Sequence, residues 1–278
     1  MSHARRLLRR SRPLFWLYLA GPAIVGAVYA ADAIDALAAP LVIGLVGYFL
    51  VPANVFLYGI NDVFDAEIDA VNSKKDGIEE RYEGDRLTVL AVATSAVLGL
   101  AFLLVIPARA GIYLLGFLIL GAGYSTPPLR FKTTPLLDSV SNGLYVLPAG
   151  VTYVTLSGTH PPALALLGGW LWAMGMHTFS AIPDVEPDRL AGIRTTATTL
   201  GRRGALGYCV ACWTAAAIAF GLLDGRVGAL VAMYPLLVGA IVVANVRVDR
   251  AYWWFPAVNS AAGMLLTLGG LWQVSHAY

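Results

Sequence analysis

Two groups of carboxylates interrupt an otherwise apolar chain, and each sits where a hydrophobic stretch ends. The first is Asn61-Asp62-Val63-Phe64-Asp65-Ala66-Glu67-Ile68-Asp69, the second Asp184-Val185-Glu186-Pro187-Asp188. Of the 17 acidic residues, nine fall within residues 62–85 and three within 184–188. An ionised carboxylate beside lipid is costly, so two such groups point to a bound cation and an anionic ligand. A helix continuing past residue 60 would line Asn61, Asp62, Asp65 and Asp69 along one face over about two turns. Like charges so placed repel by a few tenths of a kcal/mol per pair. At a helix C-terminus they also oppose the macrodipole, so a merely solvated helix end explains them poorly. A divalent cation reverses the sign. Mg²⁺ takes oxygen ligands, typically one or two carboxylates together with substrate phosphates.

The second group repeats the four-residue spacing with Asp184 and Asp188, but Pro183 and Pro187 disturb it. The two carboxylates share a face if Pro187 falls in the first turn of a new helix; otherwise the spacing is nominal. Positive partners for an anionic ligand are available in Arg12, Lys74, Lys75, Arg81, Arg130, Lys132 and Arg194. Membrane topology alone also accounts for most of them.

The elements that must position these residues are helices in a membrane. A composition of 58% hydrophobic and 13% charged residues, with mean hydropathy +0.69, excludes a soluble domain. With ~20 apolar residues per span, nine spans are expected, near 14–31, 39–60, 86–106, 110–124, 138–156, 162–182, 204–222, 227–246 and 253–274. The chain then reads as one all-α polytopic domain over 1–278 with no separate soluble domain. Threading nine spans puts 17 of the 19 Lys and Arg residues on one side, leaving Arg109 and Arg226 opposite. Positive charge marks the cytoplasmic face, so the N-terminus and both acidic groups are expected there. The Arg-rich start followed by an apolar run imitates a signal peptide, but the run is long for one and reads as an uncleaved first span. Cys209 and Cys212 form a CxxC inside the seventh expected span, without a second pair, and read as small packing residues. His177 is read as a packed side chain.

The residues quoted above match a known pattern. Asn61-Asp62-x-x-Asp65-x-x-x-Asp69 resembles the first signature of the UbiA superfamily of intramembrane prenyltransferases. Asp184-x-x-x-Asp188, followed by Gly192 and Thr195-Thr196-Ala197-Thr198-Thr199-Leu200-Gly201, is similar to the second. Tyr124-Ser125-Thr126-Pro127-Pro128-Leu129-Arg130-Phe131-Lys132 resembles the segment between them, and Arg12-Pro13 the start of the first helix. The resemblance implies nine helices bundled around a central cavity open to the membrane. It implies that Asp62, Asp65, Asp69, Asp184 and Asp188 hold Mg²⁺ on an isoprenyl diphosphate, with Asn61 orienting the phosphate. Arg12, Tyr124, Lys132 and Arg130 would contact the diphosphate, and Lys74, Lys75 and Arg81 could close over it. Asp65, Asp184, Lys132 and Tyr124 would carry most of the catalysis. The departing diphosphate leaves an allylic cation that a lipophilic acceptor attacks.

Relatives acting on quinone rings or glycerol lipids follow the first signature with Arg-Pro pairs. Here the sequence is Asn72-Ser73-Lys74-Lys75-Asp76-Gly77-Ile78-Glu79-Glu80, which looks more like the carotenoid branch, whose members elongate lycopene. The partners so implied are a dimethylallyl donor, a carotenoid acceptor and the bilayer; no nucleic acid is expected. A geranylgeranylglyceryl phosphate or quinone-precursor acceptor is the nearest rival. A cation-coupled transporter fits less well, because transport sites lie near the midplane on broken helices and both acidic groups end spans.

Overall fold

The computed structural model describes residues 11–69 and 84–276, without the side chains of 65–69. Every regular element among the described residues is helical. By length and composition, five stretches can cross a membrane: Pro13–Ala30, Pro40–Phe64, Ala108–Ser125, Thr196–Gly221 and Gly225–Val243. Arg86–Phe102 is apolar but shorter. Ala163–Ala181 and Phe255–Ser275 are further long helices.

Two compact units divide the chain. One comprises residues 1–130, 147–160 and 270–278; the other, 131–146 and 161–269. In the first unit, helix boundaries follow proline and local capping. Pro52 has no N–H to continue the helix Pro40–Leu50, so a new one, Pro52–Asp69, starts there. The buried Asn54 side chain donates to the Phe49 and Leu50 carbonyls at 3.0 Å each, satisfying acceptors the break would orphan. Asp85 caps Arg86–Phe102 by accepting from Thr88 N at 2.9 Å. Ala108–Ser125 ends at Thr126, whose extended backbone (φ −85°, ψ 130°) is what the following Pro127 favours.

Leu17–Ala30 and Leu147–Ser157 approach backbone to backbone. A Cβ on Gly26 would lie 2.2 Å from the Ala149 carbonyl oxygen, so only glycine fits. Thr152 Oγ1 donates to Ala23 O across the same contact at 2.7 Å. Phe117 lies at the centre of an aromatic group, with Phe49 and Phe56 rings 5.5 and 6.1 Å away.

The second unit packs Ala163–Ala181 against Thr196–Gly221. Trp213 is fully buried, donates from Nε1 to Trp172 O at 3.0 Å, and has the Phe179, Tyr234 and Phe255 rings within 6 Å. Cys209 and Cys212 are buried free thiols in this helix, and Cys209 Sγ contacts Gly175 O at 3.3 Å. That is packing, as the sequence reading expects.

The expected span 138–156 is interrupted. Residues 138–156 do not form a single helix but a short turn of helix Leu137–Val140, a 3₁₀ segment Ser141–Val146, and Leu147–Ser157. Side chains cause the interruption. Ser141 Oγ donates to Leu137 O and Asn142 Nδ2 to Asp138 O, both at 2.6 Å, taking carbonyls that the next α-turn would use. Trp170 Nε1 takes Val140 O at 2.9 Å.

Candidate active site

The backbone of Pro52–Asp69 stays helical through the first acidic group, so the spacing of Asn61, Asp62, Asp65 and Asp69 is a helical one. The side chains of Asp65 and Asp69 lie outside the described residues, as do Lys74, Lys75 and Arg81. Asp62 is buried at 6% exposure, and Arg12 Nη2 donates to its Oδ1 at 3.2 Å. The Arg12 guanidinium also lies 4.6 Å from the centroid of the Tyr58 ring, one helical turn before Asp62. Arg12 adopts a left-handed backbone (φ 49°, ψ 72°) as it caps the 3₁₀ turn Pro13–Phe15. For a non-glycine residue that conformation costs about 1–3 kcal/mol and marks a place where contacts over-determine the backbone.

Asn61 is oriented by a residue that the sequence reading left without a role. Ser125 Oγ donates to Asn61 Oδ1 at 2.9 Å, and Ser125 is 1% exposed. The bond ties the first signature to the last turn of Ala108–Ser125, which also bears the half-buried Tyr124. With Oδ1 engaged, the Nδ2 group is the end of Asn61 suited to an anion. Arg130, half-buried, takes a left-handed backbone (φ 39°) beyond Pro127-Pro128.

In the second unit the prolines assist the acidic pair. Pro183 sits in the 3₁₀ turn Ile182–Asp184, and Asp184 directly precedes the helix Val185–Leu190. Pro187 is the third residue of that helix, where no intrahelical donor is lost, so Asp184 and Asp188 stand one turn apart on one side. Both are half-buried, whereas Glu186 is exposed. Ala191 N to Pro187 O (3.0 Å) and Ile193 N to Asp188 O (2.8 Å) close the helix, with Gly192 left-handed at φ 71°. Arg189 reaches forward to the Thr198 carbonyl (Nη2 2.8 Å, Nε 3.2 Å), and Thr195 and Thr198 form a reciprocal capping box on Thr196–Gly221. Lys132 lies half-buried in the 3₁₀ turn Phe131–Thr133.

Within each unit the acidic side chains suit a hard cation. Asp62 in the first offers only oxygen, with the Arg12 guanidinium supplying a positive charge beside it, and Asp184 and Asp188 in the second likewise offer only oxygen. Among the described residues, which do not include the Asp65 and Asp69 side chains, no three His, Cys, Asp or Glu side chains converge as a metal site.

Residues 19–275 match the profile of the UbiA prenyltransferase family. The chain belongs to that family. It is therefore a prenyltransferase, and with its apolar helices an integral membrane protein. This UbiA-family enzyme is 58% identical over 264 residues to a lycopene elongase/hydratase of Haloferax volcanii, covering 95% of this chain and 88% of that protein. It is 57% identical over 273 residues to one of Halobacterium salinarum, covering 98% and 99%. Its fold is similar to the structure of a UbiA homolog from Archaeoglobus fulgidus bound to DMAPP and Mg²⁺. There the TM-score is 0.72 at 21% identity, over 96% of this chain and 99% of that one.

Proposed function

We propose that this enzyme transfers a dimethylallyl group from its diphosphate to the end of lycopene, with hydration of the product. The observation behind this reading is 55–58% identity, over 95–98% of this chain, to three proteins named lycopene elongase/hydratase. The departure from the Arg-Pro pattern after the first signature, at residues 72–80, agrees with it. The whole chain acts as one prenyltransferase domain of nine spans, with the N-terminus and the acidic groups on the cytoplasmic side.

The carboxylates of Asp62, Asp65, Asp69, Asp184 and Asp188 would hold Mg²⁺, which when bound neutralises charge developing on the leaving diphosphate. Arg12 is already held against Asp62 with its charge compensated, a short reach from an anion placed there. Asn61 donates from Nδ2, fixed by Ser125, while Tyr124, Lys132 and Arg130 contact the diphosphate. The allylic C–O bond breaks and its electron pair leaves with the diphosphate. The terminal double bond of lycopene supplies the pair for the new C–C bond. Water then adds to the cation left on the acceptor and loses a proton. Apolar and aromatic surroundings keep other water from the first cation.

Expression in a lycopene-accumulating host, followed by mass analysis of the pigments, tests this. The expected pigments carry one C5H8 unit and one water at one or both ends, and Asp184→Asn abolishes them. Unchanged lycopene would contradict the assignment and turn attention to a glyceryl phosphate or quinone-precursor acceptor.

A further inference from the structure

Asp138 is a carboxylate at 1% exposure that the proposed chemistry does not use. Its surroundings are unusually complete. Oδ2 accepts from Thr196 N at 3.0 Å, and Oδ1 accepts a short hydrogen bond from Thr196 Oγ1. His177 Nε2 lies 3.5 Å from Oδ2. Thr196 Oγ1 in turn accepts from Leu136 N at 2.8 Å, so one threonine hydroxyl is clasped between residues 136 and 138. Asp138 N returns to Thr134 O at 2.9 Å, next to the turn that bears Lys132. The adjacent Ser139 contacts Tyr208 OH at 3.0 Å and Thr178 Oγ1 at 3.2 Å, anchoring the same segment from two other helices.

A buried carboxylate is expensive unless fully hydrogen-bonded. Capping the helix at Thr196 does not require one, because the capping box of Thr195 and Thr198 already serves that end. What Asp138 adds is a fixed distance between two segments. On one side is the Lys132 turn. On the other is Thr195–Thr198, which Arg189 ties through the Thr198 carbonyl to the short helix Val185–Leu190, the helix that bears Asp188 and follows Asp184.

We propose that Asp138, through Thr196, is a positioning residue that holds Lys132 and the Asp184/Asp188 helix in one frame for the metal–diphosphate. The inference rests on the proposed function and adds residues to it. In that frame the aspartates meet the cation without a separate ordering cost.

Thr196→Val removes the clasping hydroxyl and Thr196→Ser keeps it. Purified protein is assayed for prenyl transfer against Mg²⁺ and dimethylallyl diphosphate concentration, with thermal unfolding measured in parallel. The expected result for Thr196→Val is an apparent Mg²⁺ activation constant and a donor KM raised roughly tenfold, the lower end for supports behind metal ligands. Thr196→Ser restores both. Asp138→Asn, which retains the shape and loses the charge, shifts them in the same direction, and this holds as the test if Thr196→Val does not accumulate. Variants that melt at lower temperature yet keep the Mg²⁺ curve and donor KM of the unsubstituted enzyme would overturn the inference alone. An unsubstituted enzyme without Mg²⁺-dependent transfer would overturn the function reading and this inference with it.

Discussion

Arg12 joins a strained backbone, a carboxylate and an aromatic ring in one place, at the residue scale the most informative contact of the candidate site. Its charge makes it a counter-ion for Asp62 and, in the proposed reaction, a contact for the diphosphate. Replacing it with alanine removes a charge-assisted hydrogen bond worth about 1.5–3 kcal/mol. Steady-state kinetics should then show kcat/KM for the donor down roughly ten- to a hundredfold. Lysine at this position should recover only part, because an ammonium cannot stack its plane over Tyr58. Ser125 is subtler. Its hydroxyl orients Asn61, so Ser125→Ala should cost about 0.5–1.5 kcal/mol, a two- to tenfold loss in kcat/KM without loss of fold. An unchanged kcat/KM would mean that Asn61 is oriented by other contacts. Asp62 and Arg12, which pair in the structure, were legible in the sequence as candidates because ionised groups are rare in apolar surroundings. Ser125 and Asp138 were not: a serine in a helix carries no such signal, and one acid at the edge of an expected span passes for a boundary residue.

At the scale of elements, the helices were legible and their interruptions were not. Hydropathy marks where an apolar stretch lies, but says nothing of side chains that bond backward to the chain. Ser141 and Asn142 break an expected span by doing so. Pro187 falls in the first turn of the helix Val185–Leu190, where a proline costs no hydrogen bond, so Asp184 and Asp188 keep a helical spacing. The same interrupted segment is tightly packed. A Cβ on Gly143 would meet Cε2 of Trp170 at 1.9 Å. Gly143→Ala should therefore destabilise the protein by about 1–3 kcal/mol, seen as a lower melting temperature in detergent. An unaltered melting temperature would show that Trp170 can swing aside at no cost.

For the whole molecule, the proposed nine-span threading would gather 17 of the 19 basic residues on one side, which is the side expected to face the cytoplasm. Single-cysteine variants test the orientation directly, since Cys209 and Cys212 are buried. A membrane-impermeant maleimide applied to intact cells should label Arg109→Cys and spare Leu129→Cys, with the reverse in inverted vesicles. The opposite pattern would place the acidic groups outside the cell. The central claim is the reaction itself. Purified enzyme in lipid, given lycopene, dimethylallyl diphosphate and Mg²⁺, is followed by mass analysis of the carotenoid. The expected product is lycopene bearing an added five-carbon unit and a water, formed in step with diphosphate release and abolished by a chelator. Diphosphate release that leaves lycopene unaltered, or turnover that survives complete chelation, would contradict it.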